Sequence, residues 1–226
     1  MRIKIFQMES SERTYGKKFF GLPKDGVDPT LYKNVYYGDV EAESIEEVYS
    51  MFNDNRPYTF HGHSLSVSDI VQVCNENEDL VTTNGSYFVE DIGFKKIDFD
   101  ASKAQEQEGM RVVYVTPNNT PLDIRIGTDL RDLQNAVGGL IQPLYNEDGT
   151  IMVENYEAKL IGMKGNRHLD NGGIIAGPFF ICGDGGEEFR SLTDEEVEKY
   201  MQKYAEPEEI SDQEVAGDMG FIIIGF

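Results

Sequence analysis

The sequence predicts an α+β fold of two small mixed domains, each built from an antiparallel-rich sheet with one or two amphipathic helices. Strand-length apolar runs outnumber windows with helical spacing, and glycine-bearing turn signals separate several neighbouring runs, which favours hairpins. The polar run Ala101 to Gly109, ASKAQEQEG, lies between two strand-like segments. At 226 residues, 39% of them hydrophobic, with 13 Phe and 12 Tyr, the chain can fill two such cores. The expected organisation is a domain over 1–100, a linker over 101–109, a domain over 110–205, and an acidic tail over 206–226 ending in an apolar, strand-like segment.

In the first domain IKIFQM alternates as a half-buried strand does. Ala42 to Phe52 sets Ile45, Val48, Tyr49 and Phe52 at helical spacing, opposite Glu43, Glu46 and Glu47. Ser66 to Asp69 reads as a short helical turn, because a serine side chain accepts first-turn N–H groups, and it leads into the strand DIVQV. A hairpin through SYFVED and an edge at KKIDF follow, with Gly93 at the turn before the last strand.

In the second domain MRVVYVTP is a strand ended by Pro117, and DLRDLQNAVGG is a helix stopped by Gly138 and Gly139, with Asp129 at its N-cap or in its first turn. IQPLYNEDGTIMVENYEAKL gives two strands joined through an Asp-Gly turn, and IIAGPFFICG one buried strand. SLTDEEVEKYMQKYA carries a capping box, Thr193 with Glu196, and sets Val197, Tyr200, Met201 and Tyr204 on one face. The terminal FIIIGF either docks on a sheet edge or engages a partner.

Charge limits the partners. The 41 Asp and Glu against 20 Lys and Arg leave a formal net of −21, a field that repels nucleic acid and anionic membranes and attracts basic surfaces. Between Asp184 and Asp218 alone stand 13 acidic and 3 basic residues. Asp194, Glu195 and Glu198 face away from the apolar stripe of the capped helix, and Glu206, Glu208, Glu209, Asp212 and Glu214 follow it. Carboxylates one helical turn apart are spaced comparably to successive phosphates, so this stretch is a candidate nucleic-acid mimic. A solvated face that complements the helix dipole is the plainer account of Asp194 and Glu195. No stretch approaches the roughly 18 apolar residues of a spanning helix, and the start of the chain lacks an apolar signal core, so a soluble cytoplasmic protein without a membrane partner is expected.

No catalytic constellation is strong. HGHSLSVSD brings His61, His63, Ser64 and Asp69 close in sequence, but no nucleophile-elbow motif surrounds a serine. His61 and His63 lack a third ligand nearby, YNEDGT lacks the acidic ladder of a calcium loop, and GDGGEE lacks the lysine of a phosphate loop. Cys74 and Cys182 show no metal or redox spacing. No cofactor and no metal are therefore expected. Asn166 and Arg167 read either as an ion-pair hub or, with the HGHS loop, as the lining of a small-ligand pocket.

Two blocks of motifs add a resemblance. NVYYGDV, FNDNRPYTFHGHSLSVSDIV and YFVEDIGFKKIDF resemble the YodL-like domain. LRDLQNAVGGLIQPLY, GMKGNRHL, IIAGPFFICG and EEFRSLTDEEVEKYMQKY resemble the DUF3846 family. The resemblance implies a gene of a phage or conjugative element and no catalytic residues. With the clustered acid it leads to the expectation of a non-enzymatic anti-defence protein, a nucleic-acid mimic that inhibits a host protein with a basic nucleic-acid-binding surface. The alternatives are a binder of nucleotide-like small ligands and a hydrolase centred on His61, His63 and Asp69.

Overall fold

A computed structural model of the chain describes residues 1–57, 59–60, 62–75 and 82–219. They form an α+β protein of two compact units, 1–107 and 108–226. His61 and the terminal FIIIGF lie outside the described residues.

The first unit is a five-stranded antiparallel sheet in the order β2-β1-β3-β4-β5. Its strands are β1 (Arg2–Met8), β2 (Tyr32–Asp39), β3 (Ile70–Val73), β4 (Gly85–Val89) and β5 (Phe94–Ile97). Helix α1 (Ile45–Asp54) starts at Ser44, whose side chain accepts the Glu47 N–H. It covers one sheet face, where Ile3, Ile5, Val71 and Val73 meet Val48 and Phe52. The other face holds Phe6, Met8, Ile70 and Phe88 against Leu31, Tyr32 and Phe99. The YKNVYYGD run, to which the sequence reading assigns no element, is an edge strand paired with β1 from Tyr32 to Asp39. One expectation is corrected here. Ser66 to Asp69 is a tight turn, closed by Asp69 N–H to the Ser66 carbonyl at 3.0 Å. Residues 101–107, within the segment read as a linker, carry a 3-10 turn at Ala101–Lys103 and two backbone bonds to β2, Gln105 N–H to Tyr32 O and Asn34 N–H to Gln105 O.

The second unit has a sheet in the order β7-β6-β12-β9-β8, with β13 beside β12. These are β6 (Met110–Val115), β7 (Leu122–Ile126), β8 (Ile141–Tyr145), β9 (Thr150–Asn155), β12 (Phe179–Asp184) and β13 (Phe189–Arg190). Helix α2 (Leu130–Val137) is capped by Asp129 and ends at Gly138, whose φ of 73° is a left-handed conformation that favours glycine. It packs on the face from which the Tyr114 hydroxyl donates to the Ala136 carbonyl. Helix α3 (Asp194–Lys203) has the expected capping box and covers the opposite face through Val197, Tyr200 and Tyr204.

The single strand expected at IIAGPFFICG is two. Gly177, at φ 72°, and Pro178 break it, because proline cannot supply a ladder N–H and glycine takes the reversed turn. β11 (Ile174–Ala176) leaves the main sheet to pair with β10 (Gly165–His168), while β12 stays central. The region expected as an acidic tail carries a fourth helix, α4 (Asp212–Asp218), with its own capping box, Ser211 with Glu214. Val215 and Ile210 pack on the β10–β11 pair beside Ala158, Ile174 and Ala176.

Candidate functional site

In the first unit the alternation of β1 puts Ile3, Ile5 and Gln7 on the helix-covered face, and that of β3 puts Asp69, Val71 and Val73 there. β1 and β3 pair Ile5 with Val71 and Phe6 with Ile70, so the next step sets Gln7 across from Asp69. Two polar residues thus stand where the pattern calls for apolar ones, and both are buried, at 3% and 1% exposure. Gln7 Nε2 donates to Asp69 Oδ2 and to the His63 carbonyl, each at 2.8 Å, and Gln7 Oε1 accepts the His63 N–H at 3.0 Å. The Ser66 N–H closes on Asp69 Oδ2 at 2.9 Å.

Two atoms of this cluster are left over: Asp69 Oδ1 and His63 Nε2 are buried without a partner among the described residues. Burial pushes the Asp69 carboxyl up to about 7 and pulls the His63 imidazole below its usual value. A further segment closes on the cluster. Phe19 N–H donates to Ser68 Oγ at 2.9 Å, the Phe19 ring lies 5.5 Å from the His63 ring, and both Phe19 and Ser68 hold left-handed backbone, at φ 67° and 77°. Such strain in non-glycine residues is held in place by its surroundings.

The hydrolase arrangement is not assembled among the described residues. His63 Nδ1 is bonded to the Ser64 carbonyl at 2.8 Å, and Ser64 is exposed. No group of three or more His, Cys, Asp or Glu is placed to hold a metal among those residues.

Asn166 and Arg167, expected as an ion-pair hub or pocket lining, form a buried knot in the second unit. Asn166 Nδ2 donates to the carbonyls of Val115 and Gly177 at 3.1 and 2.7 Å. The Arg167 guanidinium, 1% exposed, donates to the carbonyls of Asn166, Asn119 and Tyr204 at 2.8–3.0 Å and to Asn166 Oδ1. The Tyr204 carbonyl stands at the negative end of α3, where a cation is favoured. Apart from the contact with Asn166 Oδ1, these bonds go to backbone oxygens, and they hold β10 to the main sheet and to α3.

The acidic stretch divides by use. Asp194 meets Arg111 at 2.5 Å, and Glu196 grips Arg190 with both oxygens while completing the capping box. Glu208 binds His168 Nδ1 at 2.5 Å, Glu214 caps α4, and Asp218 takes Lys159 and the Ile174 N–H. Asp184 accepts the Gly186 N–H. The remaining seven, Glu187, Glu188, Glu195, Glu198, Glu206, Glu209 and Asp212, are exposed and enter no side-chain bond or ion pair among the described residues. All three cations of the stretch are engaged: Arg190 by Glu196, Lys199 by Asp148 and Lys203 by Asp170. The clustering of acid was legible from the residues alone, whereas which carboxylates are engaged was not. The Gln7–Asp69 pair was missed, although both residues fall in phase with buried positions of their strands.

A pocket of about 390 Å³ opens beside this face, between the start of α2 and the β12–β13 hairpin. No helix among the described residues is long and apolar enough to cross a membrane.

Residues 2–99 match the YodL-like domain, and residues 110–205 match a domain of unknown function, DUF3846. No curated protein and no solved structure matches the chain. The two matched ranges fall one in each compact unit, so the chain joins a YodL-like domain to a DUF3846 domain.

Proposed function

We propose that the protein is a non-catalytic binding protein of a phage or conjugative element, and that the acidic face of its second unit occupies a basic, nucleic-acid-binding surface on a host protein. One observation supports the reading: seven exposed carboxylates between Glu187 and Asp212 have no bonded counter-charge among the described residues, while their neighbours hold the scaffold. Exposed acid without bonded counter-charge attracts basic grooves and adds speed and selectivity to association. Such a protein acts in the cytoplasm against a restriction or CRISPR nuclease.

The test is competition. A partner captured from host cells should be released by duplex DNA, and its affinity should fall with rising salt. The variant Glu195→Gln/Glu198→Gln/Glu206→Gln/Glu209→Gln should lose the partner while keeping its fold. Unchanged affinity in that variant overturns the reading.

A second reading is favoured by Asp69 Oδ1 and His63 Nε2, buried without a partner among the described residues, which suit a small polar ligand. A thermal-shift panel of nucleotides tests it, because a ligand of the folded state raises the melting temperature. Any shift must vanish in Asp69→Asn.

A further inference from the structure

The pocket beside the acidic face has an apolar floor and an acidic rim. Met110 and Leu133, 3% and 7% exposed, form its base; half-buried Phe189 and the exposed Leu130 flank it; the exposed Thr128, Glu187 and Glu188 complete the lining. The two glutamates sit in the turn of the β12–β13 hairpin, which Gly185 N–H closes on the Glu188 carbonyl at 3.1 Å. Arg190, on the same hairpin, does not neutralise them. Its guanidinium is held by both Glu196 oxygens and by the carbonyls of Asp184, Ser191 and Gly149.

We infer that this pocket receives one alkyl-cation side chain, an arginine or lysine presented by the basic partner. Its volume of about 390 Å³ lies at the small end of ligand sites, which span roughly 300–1,000 Å³. A long basic side chain needs both halves of such a lining. Its methylene stem covers apolar surface while its head stays at a polar rim, and a guanidinium gains further from an aromatic face such as Phe189. A neutral apolar ligand would leave Glu187 and Glu188 desolvated at the rim, and an anion would be repelled by them. The inference rests on the reading of the acidic face as a docking surface and adds an anchor to it: a single side chain, seated in a pocket, fixes the register that a field of exposed charge cannot.

The full chain, labelled on its methyl groups, is titrated with N-acetyl-arginine N-methylamide and, separately, with the uncharged citrulline analogue. The arginine compound should produce saturable shifts at Met110, Leu130 and Leu133, and the citrulline compound should bind about fivefold more weakly, the scale set by one or two rim ion pairs. Glu187→Gln/Glu188→Gln should remove that preference and leave the methyl spectrum of the free protein in place. Equal binding of the two compounds, or a charge preference that survives this variant, overturns the inference. The Glu195/Glu198/Glu206/Glu209 variant separates the two claims, since it should bind the arginine compound normally while losing the macromolecular partner. If it keeps the partner, the docking reading fails by itself. If only the pocket titration fails, the anchor is wrong and the face stands.

Discussion

Asp69→Asn should make the first unit more stable at neutral pH and leave it nearly unchanged in acid. The carboxyl is 1% exposed, accepts from Gln7 and Ser66, and has one oxygen without a partner among the described residues. Burial pushes it from 3.8 up to about 7. Because its folded value lies above its unfolded one, the native state binds the proton more tightly. That contribution is complete below about pH 4 and is lost as pH rises to about 7. A gap of about three pH units, at 1.36 kcal/mol each, amounts to about 4 kcal/mol. The asparagine carries no charge at any pH, and its amide oxygen accepts the same two N–H groups. His63, whose Nδ1 lies 3.7 Å from Asp69 Oδ2, has its value lowered by burial and adds a slope of opposite sign; Lys18 favours the ionised carboxylate. Wild type and variant must therefore be compared at each pH, which leaves the Asp69 contribution and its coupling to those two groups. Urea unfolding between pH 4 and 8, followed on the methyl signals of Ile5 and Val71, reads the first unit separately. With a urea slope of about 2 kcal/mol per molar, the variant's midpoint should exceed that of the wild type by up to about 2 M at pH 8 and match it near pH 4. A difference that is flat across this range, or a variant less stable at pH 8, would refute the reasoning.

Arg167→Lys should destabilise the second unit by about 3 kcal/mol, because an ammonium cannot span the carbonyls that the guanidinium fork joins and buried oxygens are left unpaired. Urea unfolding followed on the Val113 methyls checks it, and a loss under 1 kcal/mol would mean that the knot is dispensable. Gly165→Ala should free α4 without unfolding the main sheet, since a Cβ there would lie 2.6 Å from the Ile210 Cβ. Faster proteolysis between 205 and 212, with unchanged Val113 signals, is the expected result, and a protease-resistant tail would contradict it.

The readable part of the fold was the part with local causes. The Thr193 capping box and the α3 stripe, the Asp129 cap and the glycine stop of α2, and the Asp-Gly hairpin between β8 and β9 each depend on residues a few positions apart. β2 and β10 were not readable, because what makes them strands is their partners: Tyr36 is buried by α1, and Arg167 donates to the carbonyls of two other segments, at Asn119 and Tyr204. The split of IIAGPFFICG was legible in Gly177-Pro178 and was outweighed by the continuous apolar run on either side. Gln7 and Asp69 were legible only in combination, since a single polar residue in phase with core positions is common and two facing each other become visible only with the register.

Charge count and charge availability differ on the acidic face, and two adjacent residues can separate them. Glu195 and Glu196 carry the same charge on the same turn of α3. Glu195 is exposed and bonded to nothing among the described residues, whereas Glu196 holds Arg190 through two oxygens and closes the capping box on the Thr193 N–H. Arg190 holds the Glu196 carboxyl down to about 2. A depressed carboxyl contributes stability above its unfolded value that is lost as pH falls toward the folded one, a contribution of about 2 kcal/mol once partial exposure is allowed for. Glu196→Gln should therefore lower stability at pH 7 by about that amount and converge on the wild type near pH 2. Glu195→Gln should leave stability within about 0.5 kcal/mol at all pH values and weaken the basic partner. Both substitutions change the net charge by one unit. If partner affinity follows only that unit, the two variants bind equally, the face acts as a diffuse field, and the proposal of a built docking surface fails.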